Sequence, residues 1–280
     1  MTRKQALQSF KQDLHISHNQ IFTYLNCSLK YKFQYIEGKQ PERVSLALPF
    51  GSAIHSAIEM YYRSLKIKGE REPVDSILER FENCLAIELD NIKVPVIFKK
   101  ESPDRKSALE LGKAMLRVFH ENNTVLPEHI VDVEMPISSR LYTDSGEPTD
   151  FLLVGIIDLL LVDENQEVIV VDNKTASKPM SQSTANEENQ MTAYSYLLAA
   201  NKFVFPTANV KCRFDVLRKL KTPVFEQIHT SRNSCQRKRF AKIASTVLSA
   251  IDAGIHMPQT SWMCLDCGYS EHCRTWHTKN

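Results

Sequence analysis

Two β-branched apolar runs, each interrupted by an acid, constrain this chain more than any other feature. Val154-Gly-Ile-Ile-Asp158-Leu-Leu-Leu-Val162 is followed by Val168-Ile-Val-Val-Asp172-Asn-Lys174-Thr. Runs of this composition read as strands of a buried sheet, and a carboxylate among such residues is costly unless something pairs with it. A hairpin turning through residues 163–167, centred near Asn165, sets residues of even separation face to face, so Asp158 stands opposite Asp172. Lys174 projects from the same face as Asp172. Two carboxylates and an ammonium then converge without any long-range assumption. The acids repel each other unless a cation bridges them, and hard oxygen ligands suit Mg²⁺ or Mn²⁺.

The segments around this hairpin are of two kinds. Ser17 and Gln20 form a capping-box pattern, and Ile21, Tyr24, Leu25, Ser28 and Lys32 trace a helix to about Tyr35, with Cys27 inside it. Pro41 and Pro49 bound a connector. Residues 51–68 are helically periodic, with His55 and Glu59 on one face. Further helices are expected over 74–92 and 107–120, so the first 125 residues read as mainly helical. Strands are then expected over 130–137, 151–162, 168–171, 210–216 and 224–228, with helices over 186–201 and 231–254. Glu134 falls in the first of these strands, where a solvated position is the expectation and an outer or second-metal carboxylate the alternative. Tyr31, Phe33 and Tyr35 are expected in the core. No repeat or low-complexity linker divides the chain.

The net charge of +2 on 280 residues does not by itself advertise a nucleic-acid partner, so any such charge must be local. Arg213, Arg218, Lys219, Lys221, Arg232, Arg237, Lys238, Arg239 and Lys242 supply it in the C-terminal half. Residues 1–14 are basic without a signal-type apolar core, and no run is long enough to span a membrane. An intracellular, cytoplasmic chain keeps its thiols reduced, and seven cysteines then point to metal before disulfides. Cys264-x2-Cys267-x5-Cys273 is a compact thiolate set with one position left to fill. Distant Cys27 completes a four-cysteine site; His277 completes a Cys3His zinc site. Cys84, Cys212 and Cys235 have no comparable spacing.

Asp158-x13-Asp172-x-Lys174 resembles the catalytic hairpin of the PD-(D/E)XK nuclease superfamily, and Gln190-x3-Tyr194 opens the helix that follows. Gly51-Ser-Ala-Ile-His55-x3-Glu59 is similar to the histidine motif of the RecB-type branch. The resemblance spans nearly the whole chain. It implies an α/β fold, a restriction-endonuclease-like central mixed β-sheet flanked by helices, with a helical N-terminal region and a C-terminal cysteine cluster. The expected organisation is one domain over 1–280, comprising a mainly helical region 1–125, a catalytic core 126–255 and a cysteine-rich tail 256–280.

The resemblance also implies roles. His55, Asp158 and Asp172, with the backbone carbonyl of Asn173, ligate the catalytic metal. Lys174 orients or activates water and stabilises charge on the phosphate. Gln190 and Tyr194 steady the DNA backbone or the active site. RecB-type and CRISPR-associated relatives carry one cysteine before the histidine motif and three after the core, which assigns Cys27, Cys264, Cys267 and Cys273 to a structural [4Fe–4S] cluster, with Zn²⁺ as the alternative.

The implied activity is an Mg²⁺- or Mn²⁺-dependent deoxyribonuclease, an exonuclease acting on single-stranded or frayed DNA ends in repair, recombination or CRISPR-type processing. No G-x4-G-K-[S/T] loop occurs, so a separate helicase, recombination or CRISPR partner supplies any unwinding. The competing reading is a non-catalytic nucleic-acid-binding protein with a Cys3His zinc site.

Overall fold

The continuous apolar runs become the centre of a six-stranded mixed sheet in the computed structural model, which describes residues 13–143 and 145–278. Most of the basic N-terminal stretch read above therefore lies outside the described residues. The strands are β1 (His15–Ser17), β2 (Val44–Ser45), β3 (Val96–Ile97), β4 (Ile130–Tyr142), β5 (Pro148–Val162), β6 (Val168–Ala176), β7 (Val210–Arg218) and β8 (Val224–Arg232), with β2 and β3 forming a small separate pair. The helices are α1 (His18–Asn26), α2 (Ser28–Tyr31), α3 (Ala47–Lys68), α4 (Val74–Asn91), α5 (Arg105–Asn122), α6 (Gln182–Glu187), α7 (Asn189–Ala200), α8 (Ser234–Asp252) and α9 (Ser270–Thr278).

Strand β5 organises the sheet. Along one edge it pairs antiparallel with β4, from Ile130↔Leu161 to Tyr142↔Pro148. Its other edge is shared: the first half pairs parallel with β1, ending at Ser17↔Val154, and the second half pairs antiparallel with β6, starting at Leu159↔Val171. Between those ladders, residues 155–158 face neither strand. The sheet forks there, because β1 turns into α1 while β6 leaves to pair parallel with β7. The β5–β6 hairpin turns as its sequence requires, with Asp163 N–H donating to the Glu167 carbonyl at 3.0 Å.

Both faces of the sheet are covered. Leu159, Leu161, Val171 and Leu217 pack against α3, α4 and α5. Leu160, Val170, Phe214 and Val216 pack against α1, α7 and α8. Helices α4 and α5 approach closely at Gly112, where a Cβ would meet the Phe81 ring at 2.0 Å. Among the described residues no helix is long and apolar enough to cross a membrane.

Several boundaries differ from the sequence reading. The Ser17–Gln20 capping box is present, but Cys27 is extended (φ −166°, ψ 101°) and breaks the expected helix into α1 and α2, its Sγ accepting the Lys30 N–H at 3.4 Å. Helix α3 starts ahead of Gly51, because Pro49 fits a first turn, where no intrahelical donor is needed. The helix expected over 186–201 is likewise split at Glu188, whose side chain caps α7. Strand β1 is too short for any periodicity to reveal.

Candidate active site

The fork in the sheet positions the acids. Asp158 is the last β5 residue before the β6 ladder begins, and its Oδ2 accepts the Asn173 N–H at 2.9 Å, taking over from the carbonyls where the strands diverge. The gap at Gly155–Ile156 is filled from α7. Tyr194 Oη donates to the Ile156 carbonyl at 2.7 Å, and a Cβ on Gly155 would lie only 3.1 Å from the Tyr194 ring and Leu197. Glycine at 155 lets α7 reach the fork.

From the other prong, β6 delivers Asp172 and Lys174 to that same helix. Lys174 Nζ lies 2.7 Å from Asp172 Oδ2 and donates to Gln190 Oε1 at 2.6 Å. Gln190 Nε2 donates to Asp172 Oδ1 at 2.6 Å and to Tyr194 Oη at 3.0 Å. One amide therefore holds the acid, the ammonium and the tyrosine together. Burial, assisted by the charge of Asp158, pushes Asp172 up to about 7 despite the opposing pull of Lys174. Burial draws Lys174 down, but Asp172, Asp158 and Glu188 outweigh it and hold the ammonium above its ordinary value.

His55 comes in from α3. Its Nδ1 lies 3.4 Å from Asp158 Oδ2, while Glu59, its neighbour at i+4, accepts from Arg63 Nε at 2.8 Å instead. Glu134 corrects the sequence reading: it is buried rather than solvated, and ligand atoms of His55, Glu134 and Asp158 all lie within 4.8 Å of one another. That carboxylate–imidazole set could hold a divalent ion. The oxygens of Asp172 are turned toward Lys174 and Gln190.

Sequence reasoning also missed His18 and Glu188. His18 opens α1 where β1 ends at the fork, its Nε2 3.6 Å from Glu188 Oε1. Burial lowers its pKa to about 4, against Glu188 and with Lys174. The one available signal was the position of His18 just after the capping serine.

Comparison with known proteins bears on the same region. The family model of the PD-(D/E)XK nuclease superfamily matches residues 15–274. This chain belongs to that superfamily. As a PD-(D/E)XK protein it is a nuclease by descent, and its fork, hairpin and flanking helices are the fold of that group. A crystal structure of a candidate exonuclease from Eubacterium rectale shares the fold with a TM-score of 0.59 at 11% identity, covering 100% of this chain and 94% of the other. A structure of SSO0001 aligns at a TM-score of 0.32 and 13% identity, over 88% and 94% of the two chains. No curated protein matches.

Away from the fork, this PD-(D/E)XK chain gathers Cys27, Cys264, Cys267 and Cys273 around one cavity of about 250 Å³, with Phe33 and His277 also on its wall. Burial and the three neighbouring thiols all push Cys273 upward. Leu29, Phe33 and Tyr269 back the cavity.

Several of the arginines that supply the local positive charge are committed within the fold. Arg213 is buried in a bidentate pair with Asp215, Arg218 bonds Glu226, and Arg237 bonds Ser195 and the carbonyls of Pro206 and Ala208. Arg232, fully buried, donates to Thr192, Thr230 and the carbonyls of Ala185 and Glu188. Tyr31 and Phe33 are core residues, as their sequence suggested, whereas Tyr35 is 38% exposed.

Proposed function

We propose that this protein is a divalent-metal-dependent deoxyribonuclease that hydrolyses phosphodiester bonds from single-stranded or frayed DNA ends. What carries the reading is a buried carboxylate, Asp172, locked to Lys174 by one glutamine beside Asp158, on a chain of this superfamily. The fold shared with the Eubacterium rectale candidate exonuclease makes free ends the first substrate to try.

The donor set suits a hard dication. Asp158 and Asp172 are buried acids, His55 adds an imidazole, and the burial that raises Asp172 to about 7 is a cost that a bound cation reverses. His55, Asp158, Asp172 and the carbonyl of Asn173 would hold Mg²⁺ or Mn²⁺, which supplies an acidified water and stabilises charge on the phosphate. Lys174 would orient or activate the water and donate to a phosphate oxygen as charge develops there. Gln190 fixes the distance between Asp172 and Lys174. Tyr194, buried and committed to the Ile156 carbonyl, braces the fork; steadying the active site is the better of its two expected roles.

The four cysteines form the second cofactor site of the proposal, a structural [4Fe–4S] cluster. One cavity of about 250 Å³ is lined by all four thiols, which supports an all-cysteine cluster there, with Zn²⁺ as the alternative. The remaining elements of the proposal are one catalytic unit across 1–280, a cytoplasmic setting, and repair, recombination or CRISPR-type processing beside a separate motor.

Labelled single- and double-stranded DNA incubated with Mg²⁺, Mn²⁺ or EDTA tests the reading. Metal-dependent release of nucleotides from ends is expected, with Lys174→Met slower by about 10²–10³-fold and Asp172→Ala inactive, both folded. Undiminished cleavage by folded Asp172→Ala would end it.

A further inference from the structure

Glu134 has no role in the reading above, yet the fold brings it to the same place. The β4–β5 register runs through Val133↔Leu159 and Met135↔Ile157, so Glu134 stands across from Asp158. Residues two apart on a strand normally share a face. Here Val133 and Leu159 pack toward α3–α5 while Met135 and Ile157 pack toward α7–α8. Both strands therefore change face at the Glu134–Asp158 pair. Glu134 makes its part of that change at φ +50°, a conformation costly to a residue with a Cβ.

The chemistry of the pair points the same way. Both carboxylates are buried, at 3% and 4% exposure, and both lie with His55 inside a 4.8 Å cluster of ligand atoms. Adjacent buried carboxylates repel unless one takes a proton or a cation lies between them. An imidazole beside them adds a nitrogen donor, and two carboxylates with one imidazole are a set that a divalent cation uses.

Resting on the metal-dependent reading, we propose that Glu134 is itself a ligand of the divalent cation, completing with His55 and Asp158 a mixed nitrogen–oxygen set that favours Mn²⁺ over Mg²⁺. Catalysis then depends on a residue outside the hairpin and the histidine helix, contributed by the neighbouring strand.

Calorimetric titration of the full chain with Mn²⁺ separates this from a structural role, because it needs no turnover. Glu134→Gln is expected to bind Mn²⁺ at least about tenfold more weakly while remaining cooperatively folded without metal. Mn²⁺ affinity within twofold of the unaltered chain overturns the proposal. Should Glu134→Gln not fold, Glu134→Asp keeps the charge but withdraws it by one methylene, and the same loss of affinity is expected; unaltered affinity there overturns the proposal equally. An unaltered chain that binds no Mn²⁺ overturns the metal-dependent reading and this inference together, whereas normal binding by the variants removes this inference alone.

Discussion

At Asp172 and Lys174, the burial that penalises each charge also ties the two together. Removing the ammonium leaves a deeply buried acid that takes a proton more readily, so Lys174→Met should slow cleavage by about 10²–10³-fold without unfolding the chain. His18 offers a test that needs no substrate. In the unfolded chain it gains a proton near the ordinary 6.5, but in the fold only near 4, because burial outweighs Glu188 and is joined by Lys174. A lowered folded-state pKa means that its contribution to stability is complete above 6.5 and lost as pH falls toward 4. Urea midpoints compared at pH 7.5 and 4.5 should differ less in His18→Gln than in the unaltered chain; equal differences would remove His18 from this account. The acids and the lysine of the hairpin were legible because a five-residue turn fixes their register locally. The burial of Glu134 and the place of His18 were not, since one depends on pairing with β5 and a face change, and the other on a three-residue strand that leaves no periodic trace.

The split between α6 and α7 shows how an element boundary serves the site. Its cause lies in a distant strand: Arg232 on β8 donates to the Ala185 carbonyl of α6 and to the Glu188 carbonyl, ending one helix so that the Glu188 side chain can cap the next. Gln190 then falls in the first turn of α7, facing Asp172 and Lys174. Arg232→Met strips buried carbonyls of their donor and should lower the unfolding free energy by about 3 kcal/mol in urea, with activity falling as Gln190 drifts. The slope of DNA affinity against salt should stay as it was, because no phosphate contact is lost. Unaltered stability with a shallower slope would restore Arg232 to DNA binding. From sequence this arginine was one basic residue among many, and burial is what distinguishes it. Most strands and helices were readable from apolar periodicity. The breaks at Cys27 and Glu188 were not, because each is imposed by side chains remote from it or by the site it serves.

Across the whole molecule, the cysteine cavity joins the two ends of the described chain, and α1 joins that cavity to the fork. This helix starts at His18 beside Glu188 and stops at Cys27, a rigid rod of roughly 13 Å. The tail is also held by bonds that need no metal: Tyr24 Oη donates to the Ile255 carbonyl at 2.6 Å, Glu42 accepts from the His272 N–H at 2.9 Å, and Arg43 Nε donates to the Cys267 carbonyl at 3.3 Å. Loss of a cluster should therefore loosen the tail without releasing it wholly, while removing a constraint that closes a very long loop. Anaerobically purified protein is expected to be brown, with iron and acid-labile sulfide. Cys27→Ala should lose both, melt several degrees lower, and be cut by trace protease between α8 and the tail before the rest of the chain. Cleavage of DNA should decline with that loosening rather than vanish, because Cys27 anchors α1 but touches none of the groups at the fork. A colourless protein containing zinc, or Cys27→Ala with full metal content and an unaltered melting temperature, would leave Cys264, Cys267, Cys273 and His277 as the completed site and free α1 from the tail's control.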